Sequence, residues 1–189
     1  MDATATTPQL RLAVDLVNTA ARGQDTLGGR RDLRAFLELH GEKTTGGISE
    51  EDVTNFKAVR ARLRRVFAAS TEQEKAAEIN SLLEAADVRP FLTDHCGGSP
   101  WHLHVTAEDA PWGRWLQATT GFALAIFAAT EGLHRIGSCR APACDRVFID
   151  TSPRGDRRYC SERCANRARV GRLRARRSGA RGPQPDGAP

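Results

Sequence analysis

The apolar positions along the chain predict a body built mainly from helices. In three segments apolar residues recur every three or four positions, which is the repeat of a helix with one buried face. These segments are residues 31–40, 49–67 and 71–86. A fourth segment, residues 112–136, is apolar on most of its faces. It predicts a long, largely buried helix that ends at Gly137.

Capping residues mark where two of these helices begin. Ser49 is followed by Asp52, and Thr71 is followed by Glu74. In such a pair the hydroxyl accepts a hydrogen bond from the backbone three residues on, and the acidic side chain reaches back to the capping residue. The two pairs predict helix starts at residues 49 and 71.

Short apolar runs between the helices predict strands. Leu10–Val17 is rich in leucine and valine and predicts a strand that runs into a turn. Residues 91–94 and 101–106 predict the two strands of a hairpin around a Gly-Gly pair. Because helices outnumber strands, the predicted fold is α+β, a mostly helical N-terminal domain with a small β-sheet.

Charge is distributed unevenly and divides the chain. The net charge is +5, but residues 139–189 contain 13 arginines and five acidic residues, a net charge of +8, whereas residues 1–138 carry −3. Cysteine usage changes at the same place. We therefore predict a body over residues 1–137, a small basic module over residues 138–177 and a disordered Gly/Pro-rich tail over residues 178–189. The asymmetry indicates an anionic partner for the C-terminal part.

Four of the five cysteines fall within 26 residues, in the spacing C-x4-C-x15-C-x3-C. They are Cys139, Cys144, Cys160 and Cys164. Two close pairs separated by a loop suit tetrahedral Zn²⁺, and four sulfur ligands leave no open position for catalysis. The sequence therefore predicts one structural Zn²⁺, which would contribute much of the folding free energy of so short a segment. Buried free thiols and a redox switch are the alternatives.

Arginines dominate the segment that follows the last cysteine. Cys160 and Cys164 are four residues apart, so they share one face if a helix begins after Tyr159. Along such a helix the arginines form two rows, while Ala168, Val170 and Leu173 are expected to pack back on the module. The arginines predicted to contact a polyanion are Arg157, Arg158, Arg163, Arg167, Arg169, Arg172, Arg174, Arg176 and Arg177. A solvated helix face is the alternative.

The body offers weaker candidates. Asp15, Asn18 and Thr19 follow the predicted strand and form a possible ligand site for a small-molecule effector, or simply a turn. His102 and His104 would share one strand face near Cys96, either as ordinary histidines or as a second metal site.

Other classes of protein leave signatures that this sequence lacks. It contains no Gly-rich phosphate loop, nucleophile elbow or His-Glu-x-x-His motif, so we expect no enzyme. No apolar run approaches the ~18 residues of a membrane span, and the N-terminus does not resemble a secretory signal. A cytoplasmic location is expected.

The C-terminal segment resembles the CGNR zinc-finger family, bacterial proteins that pair this finger with an N-terminal domain called ABATE and are described as stress-induced transcription regulators. The matching residues are Cys139-x4-Cys144-Asp-Arg-Val-Phe-Ile-Asp150-Thr-Ser152, Arg157-Arg158-Tyr159-Cys160 and Cys164-Ala165-Asn166-Arg167. Leu12–Thr19 is similar to the opening motif of ABATE. One departure is Ala165, where the family motif has glycine.

The resemblance implies a treble-clef-like zinc module that ends in a basic helix. It also implies that the four cysteines bind the zinc and that Asn166, with Arg167, belongs to the nucleic-acid-binding set. Asp150 and Ser152 would support the ligands or form a turn.

The resulting hypothesis is a zinc-dependent, DNA-binding transcription regulator whose N-terminal domain senses an effector or forms a homodimer. The alternatives are a zinc module that binds RNA or protein, and a body that binds or converts a small molecule near Asp15 while the tail serves localisation.

Overall fold

The computed structural model describes residues 7–44, 47–95, 97–98, 100–107 and 109–179. Within these ranges the chain forms six α-helices and three antiparallel two-stranded sheets, which confirms the α+β prediction. Cys96 and residues 180–189 of the predicted tail lie outside the described residues.

The helices are α1 (Pro8–Asn18), α2 (Arg30–Leu39), α3 (Glu50–Ala68), α4 (Glu72–Ala86), α5 (Trp112–Glu131) and α6 (Glu162–Gly179). The strands are β1 (Ala20–Ala21), β2 (Gln24–Asp25), β3 (Phe91–Thr93), β4 (His102–His104), β5 (Ile136–Ser138) and β6 (Val147–Ile149). Each strand pairs with its sequence neighbour, β1 with β2, β3 with β4 and β5 with β6. Within the described ranges, no helix combines the length and apolarity needed to cross a membrane.

The predicted strand at Leu10–Val17 is wrong, because these residues form α1. Pro8 occupies the first turn, and the Thr7 hydroxyl accepts a hydrogen bond from the backbone of Leu10 at 3.3 Å. The buried residues Leu10, Ala13 and Val17 follow helical spacing. Leucine and valine suggested a strand, but the cap and the spacing of the buried positions decide for a helix.

The core lies between α1, α3, α4 and α5. Its fully buried side chains include Leu16, Phe56, Leu63, Leu116 and Leu124. Each contributes about 1.5–3 kcal/mol by leaving water. Both predicted capping boxes are present, and they fix the starts of α3 and α4.

The long helix ends earlier than predicted. α5 stops at Glu131, and Gly132 adopts a φ of +101° that other residues rarely reach. A short 3-10 turn follows, and Ile136 then begins β5 instead of closing the helix. The hairpin of β5 and β6 places Ile136, Val147 and Ile149 in the same core as the helices. The cysteine module is therefore packed against the body through a shared core.

Two arginines of α3 donate hydrogen bonds to the segments that surround this helix. Arg60 is buried and donates two hydrogen bonds of 2.7 Å to the Asp25 carboxylate and one of 2.8 Å to the Thr19 hydroxyl. The hydrogen bonds from Arg60 lower the pKa of Asp25 to about 2. Arg64 donates to the carbonyls of Val17 and Asp145 at 2.8 and 3.1 Å. These arginines of α3 therefore form hydrogen bonds within the protein that link the helix to neighbouring segments.

Candidate metal centre and basic helix

The first cysteine pair lies at the end of the β5–β6 hairpin. The ladder extends one step past Ser138, where the Cys139 amide donates to the Arg146 carbonyl at 2.8 Å. Beyond it the chain turns at Pro142, and Ala143 adopts a left-handed φ of +53°. This tight turn brings Cys144 back beside Cys139.

The second pair lies at the start of α6. Cys160 precedes the helix, and Cys164 lies in its first turn. The Ser161 hydroxyl accepts a hydrogen bond from the Cys164 amide at 3.3 Å, as a capping residue does. The helix therefore supplies one ligand and the loop before it supplies the other, so the expectation that one helix carries both is wrong.

The four sulfur atoms have the spacing of a tetrahedral zinc site. Cys160 Sγ lies 3.8 Å from Cys144 Sγ and 3.7 Å from Cys164 Sγ. The Sγ atoms of Cys144 and Cys164 are 3.8 Å apart. Four sulfurs held about 2.3 Å from one ion would be roughly 3.8 Å apart. All four lie within 4.8 Å of one another, and Cys139 and Cys164 are buried. The donor set and its burial fit one structural Zn²⁺.

Hydrogen-bond donors surround the sulfurs. The Cys160 amide donates to Cys139 Sγ at 3.4 Å, and the Arg167 guanidinium donates to Cys164 Sγ at 3.5 Å. A hydrogen bond with Cys144 raises the pKa of Arg22, which extends from the β1–β2 turn. Zn²⁺ with four thiolates carries a net charge of about −2, which these donors stabilise. Burial raises the pKa of the Cys160 thiol to about 12, so the ion must displace protons when it binds.

Asn18 joins the body to the zinc module. Its amide group donates to the Val147 carbonyl at 3.1 Å and accepts from the Val147 amide at 2.9 Å. Next to it, the Arg22 amide donates to the Asp145 carboxylate at 2.8 Å. These contacts, and the hydrogen bond from Arg64 to the Asp145 carbonyl, were not predicted. In each of them the two residues lie more than 80 positions apart in sequence.

The other two residues of the predicted ligand site have separate partners. The Thr19 hydroxyl donates to the Leu16 carbonyl at 2.7 Å and accepts the bond from Arg60. Asp15 lies 3.5 Å from Arg11 and 3.6 Å from His40. Asp15 and Asn18 line one side of a small cavity of about 250 Å³ between α1 and the zinc module.

The loop that precedes α6 is held by its own polar groups. Asp150 is buried and accepts hydrogen bonds from the amides of Ser152 and Arg157, at 2.9 and 2.7 Å. The Arg157 guanidinium donates to the carbonyls of Tyr159 and Cys160, both at 2.8 Å. Arg157 thus closes the loop around the zinc ligands. The backbone carbonyl of Arg158 accepts a hydrogen bond from the Arg140 amide, and the Arg158 side chain is exposed.

Beyond its first two turns the described side chains of α6 are exposed, and Arg172 contacts the zinc module by donating a hydrogen bond to the Tyr159 hydroxyl at 3.3 Å. Among the described side chains of this helix, only Cys164 and Ala168 are buried. Val170 and Leu173 are 45% and 51% exposed, so the expectation that they pack on the module is wrong. The residues of the predicted polyanion-binding set that lie exposed on α6 are Arg163, Asn166, Arg167, Arg169, Arg172 and Arg174. Arg176 and Arg177 continue the helix, but their side chains lie outside the described part of the chain.

Comparison with known proteins identifies both parts of the chain. Residues 135–177 match the CGNR zinc finger, and residues 10–132 match ABATE, described as a putative stress-induced transcription regulator. A search among curated proteins found no match. The ABATE match covers more than half of the chain, and the CGNR match contains all four cysteines. The chain belongs to the ABATE family of putative stress-induced transcription regulators, and it carries a CGNR zinc finger with one structural Zn²⁺ site.

Proposed function

We propose that this chain is a zinc-dependent, DNA-binding transcription regulator of the bacterial cytoplasm, with α6 as its DNA-binding element. In this proposal the helical body senses an effector or forms a homodimer, and it performs no catalysis. The observation that carries the proposal is an arginine-rich helix that is fixed at one end by the zinc cage and is exposed along the rest of its described length.

The length and charge of α6 suit a DNA groove. Its 18 residues span roughly 27 Å, and they include seven arginines but one acidic residue, Glu162. Arginine keeps its charge at any physiological pH and forms forked contacts with phosphate. Each phosphate that it neutralises releases a counterion, which favours binding at low salt.

The arginines of α6 form two rows on opposite flanks of the helix. At about 100° per residue, Arg163, Arg167 and Arg174 lie on one flank. Arg169 and Arg172 lie roughly 170° away on the other. A helix inserted into the major groove has one phosphate backbone on each side, so the two rows match the two strands.

The face between the two rows points away from the zinc cage. It carries Asn166, Val170 and Leu173, roughly opposite the buried pair Cys164 and Ala168. Asparagine can bind adenine through two hydrogen bonds, and apolar side chains contact the thymine methyl group. This arrangement gives the exposed apolar residues of α6 a use in the proposed complex.

A salt titration with matched variants tests the proposal. We expect the full zinc-loaded chain to bind duplex DNA, with log K falling linearly against log salt. Arg172→Gln and Arg174→Gln each remove one phosphate contact from a different flank, so each should flatten the slope by about one unit. Fluorescence anisotropy of a labelled duplex measures both quantities.

The control is Arg34→Gln, which removes the same charge from an exposed position on α2 of the body. It should leave the slope unchanged. Equal effects of Arg34→Gln and Arg172→Gln would contradict a specific role for α6, and so would an absence of DNA binding at low salt. Competition with structured RNA tests the alternative partner. If RNA displaces the DNA completely, α6 would be an RNA-binding element instead.

A further inference from the structure

Three histidines of the body converge on one point at the β3–β4 hairpin, far along the chain from the four cysteines of the zinc cage. His95, His102 and His104 each offer one ring nitrogen, and these nitrogens lie within 4.8 Å of one another. The Nε2 atoms of His95 and His102 are 3.1 Å apart. Three of the five histidines of the chain are thus gathered in one small cluster.

The hairpin geometry creates this convergence. His102 and His104 are two residues apart on β4, so their side chains leave the same face of the strand. His95 lies in the turn after β3 with a left-handed φ of +49°, and its amide donates to the Thr93 hydroxyl at 3.0 Å. This turn folds the His95 ring over the strand, where the ring centroids of His95 and His104 are 5.0 Å apart.

Backbone carbonyls orient two of the rings. His102 Nδ1 lies 2.8 Å from the Pro100 carbonyl, and His104 Nδ1 lies 3.2 Å from the Thr106 carbonyl. A carbonyl oxygen only accepts hydrogen bonds, so Nδ1 is the donor in each contact, and Nε2 is the nitrogen left to bind a metal ion. Histidines that bind metals are oriented in this way, with one nitrogen donating to a carbonyl and the other on the ion.

We propose that His95, His102 and His104 form a second metal site, separate from the cysteine cage, for a divalent transition-metal ion such as Zn²⁺ or Ni²⁺. Imidazole is a preferred ligand of these ions. Two nitrogens bound at 2.0–2.1 Å with tetrahedral angles would be about 3.3 Å apart, close to the 3.1 Å between His95 and His102. The site goes beyond the proposed DNA-binding function, which uses the opposite end of the chain.

The site opens onto a large cavity. The three histidines line a space of about 780 Å³ between the hairpin, α1 and α5, whose other walls include Leu10, Trp115 and Phe127. Three protein ligands leave at least one coordination position open, as in catalytic zinc sites. That position faces the cavity, where it would accept water or the donor atom of a small ligand. Ligand binding in the cavity would then depend on the ion.

The test is a titration of the untagged full chain whose cysteine cage already holds zinc. Ni²⁺ is added and followed by calorimetry, and one further equivalent is expected to bind. Removing an outer-shell partner of a metal ligand already weakens binding 10–100-fold, so His102→Asn and His104→Asn should each weaken it by about 100-fold or more. His134→Asn is the matched control, because His134 is an exposed histidine outside the cluster, and it should bind as the original chain does.

Co²⁺ distinguishes the two sites by spectroscopy. Bound to the histidines it gives a weak visible spectrum without the intense thiolate charge-transfer bands that Co²⁺ in the cysteine cage produces. Circular dichroism shows whether each variant is folded, and zinc content with DNA affinity reports the finger separately. The proposal is overturned if the zinc-loaded chain binds no further equivalent of Ni²⁺, if folded His102→Asn binds it unchanged, or if Co²⁺ shows only thiolate bands.

Discussion

Single residues decide how the two parts of the chain are joined. The cysteine ligands were predictable, because their spacing alone indicates a four-sulfur site. Asn18 was not, because a polar residue after an apolar run is compatible with a turn, a ligand site or a long-range contact. Its partner, Val147, lies 129 residues further on. Local sequence carries no signal of such a pair, so only the folded chain reveals it.

Asn18→Ala should weaken the attachment of the zinc finger. It leaves the amide and carbonyl of the buried Val147 without their side-chain partners, which costs about 1–3 kcal/mol. Urea unfolding measures the change in free energy. Asn80→Ala, at an exposed position of α4, is the control and should be neutral or slightly stabilising. Equal stability of the two variants would contradict the role assigned to Asn18.

At the scale of elements, helix starts were easier to predict than the identity of short apolar runs. The capping boxes at Ser49 and Thr71 are local hydrogen-bonding patterns, and the structure contains both. The composition of Leu10–Val17 favours a strand, whereas the Thr7-Pro8 cap and the spacing of the buried positions favour the helix that forms. The end of α5 is hard to predict because apolar residues continue into the buried strand β5, and Gly132 alone marks the break.

Removal of zinc should unfold α6 and leave the body folded. The buried contacts of this helix within its described side chains are Cys164 and Ala168, so little besides the metal cage fixes it. A chelator should therefore reduce the helical circular dichroism signal. The expected loss is the fraction of all helical residues that the 18 residues of α6 represent. The fluorescence of Trp101, Trp112 and Trp115, all in the body, should change little, and added zinc should restore the helix. Unchanged helicity in metal-free protein would contradict this account.

At the scale of the whole molecule, the sequence predicted the division of charge but not the packing of the two parts. An acidic body and a basic C-terminal segment follow from counting residues. The segment nevertheless shares the body's core through Ile136, Val147 and Ile149. Three separated apolar residues cannot indicate by themselves which surface will cover them. The shared core gives the finger a fixed base, from which α6 extends into solvent.

The most direct measurement is the affinity of the full chain for duplex DNA, compared between zinc-loaded, zinc-depleted and zinc-reloaded protein at one salt concentration. Depletion leaves every arginine in place but removes the cage that holds α6. Binding must then order the helix, which costs about 2–5 kcal/mol. We predict that affinity falls at least tenfold on depletion and returns on reloading. Equal affinity in all three states would contradict the claim that the zinc cage positions the arginines of α6 for DNA.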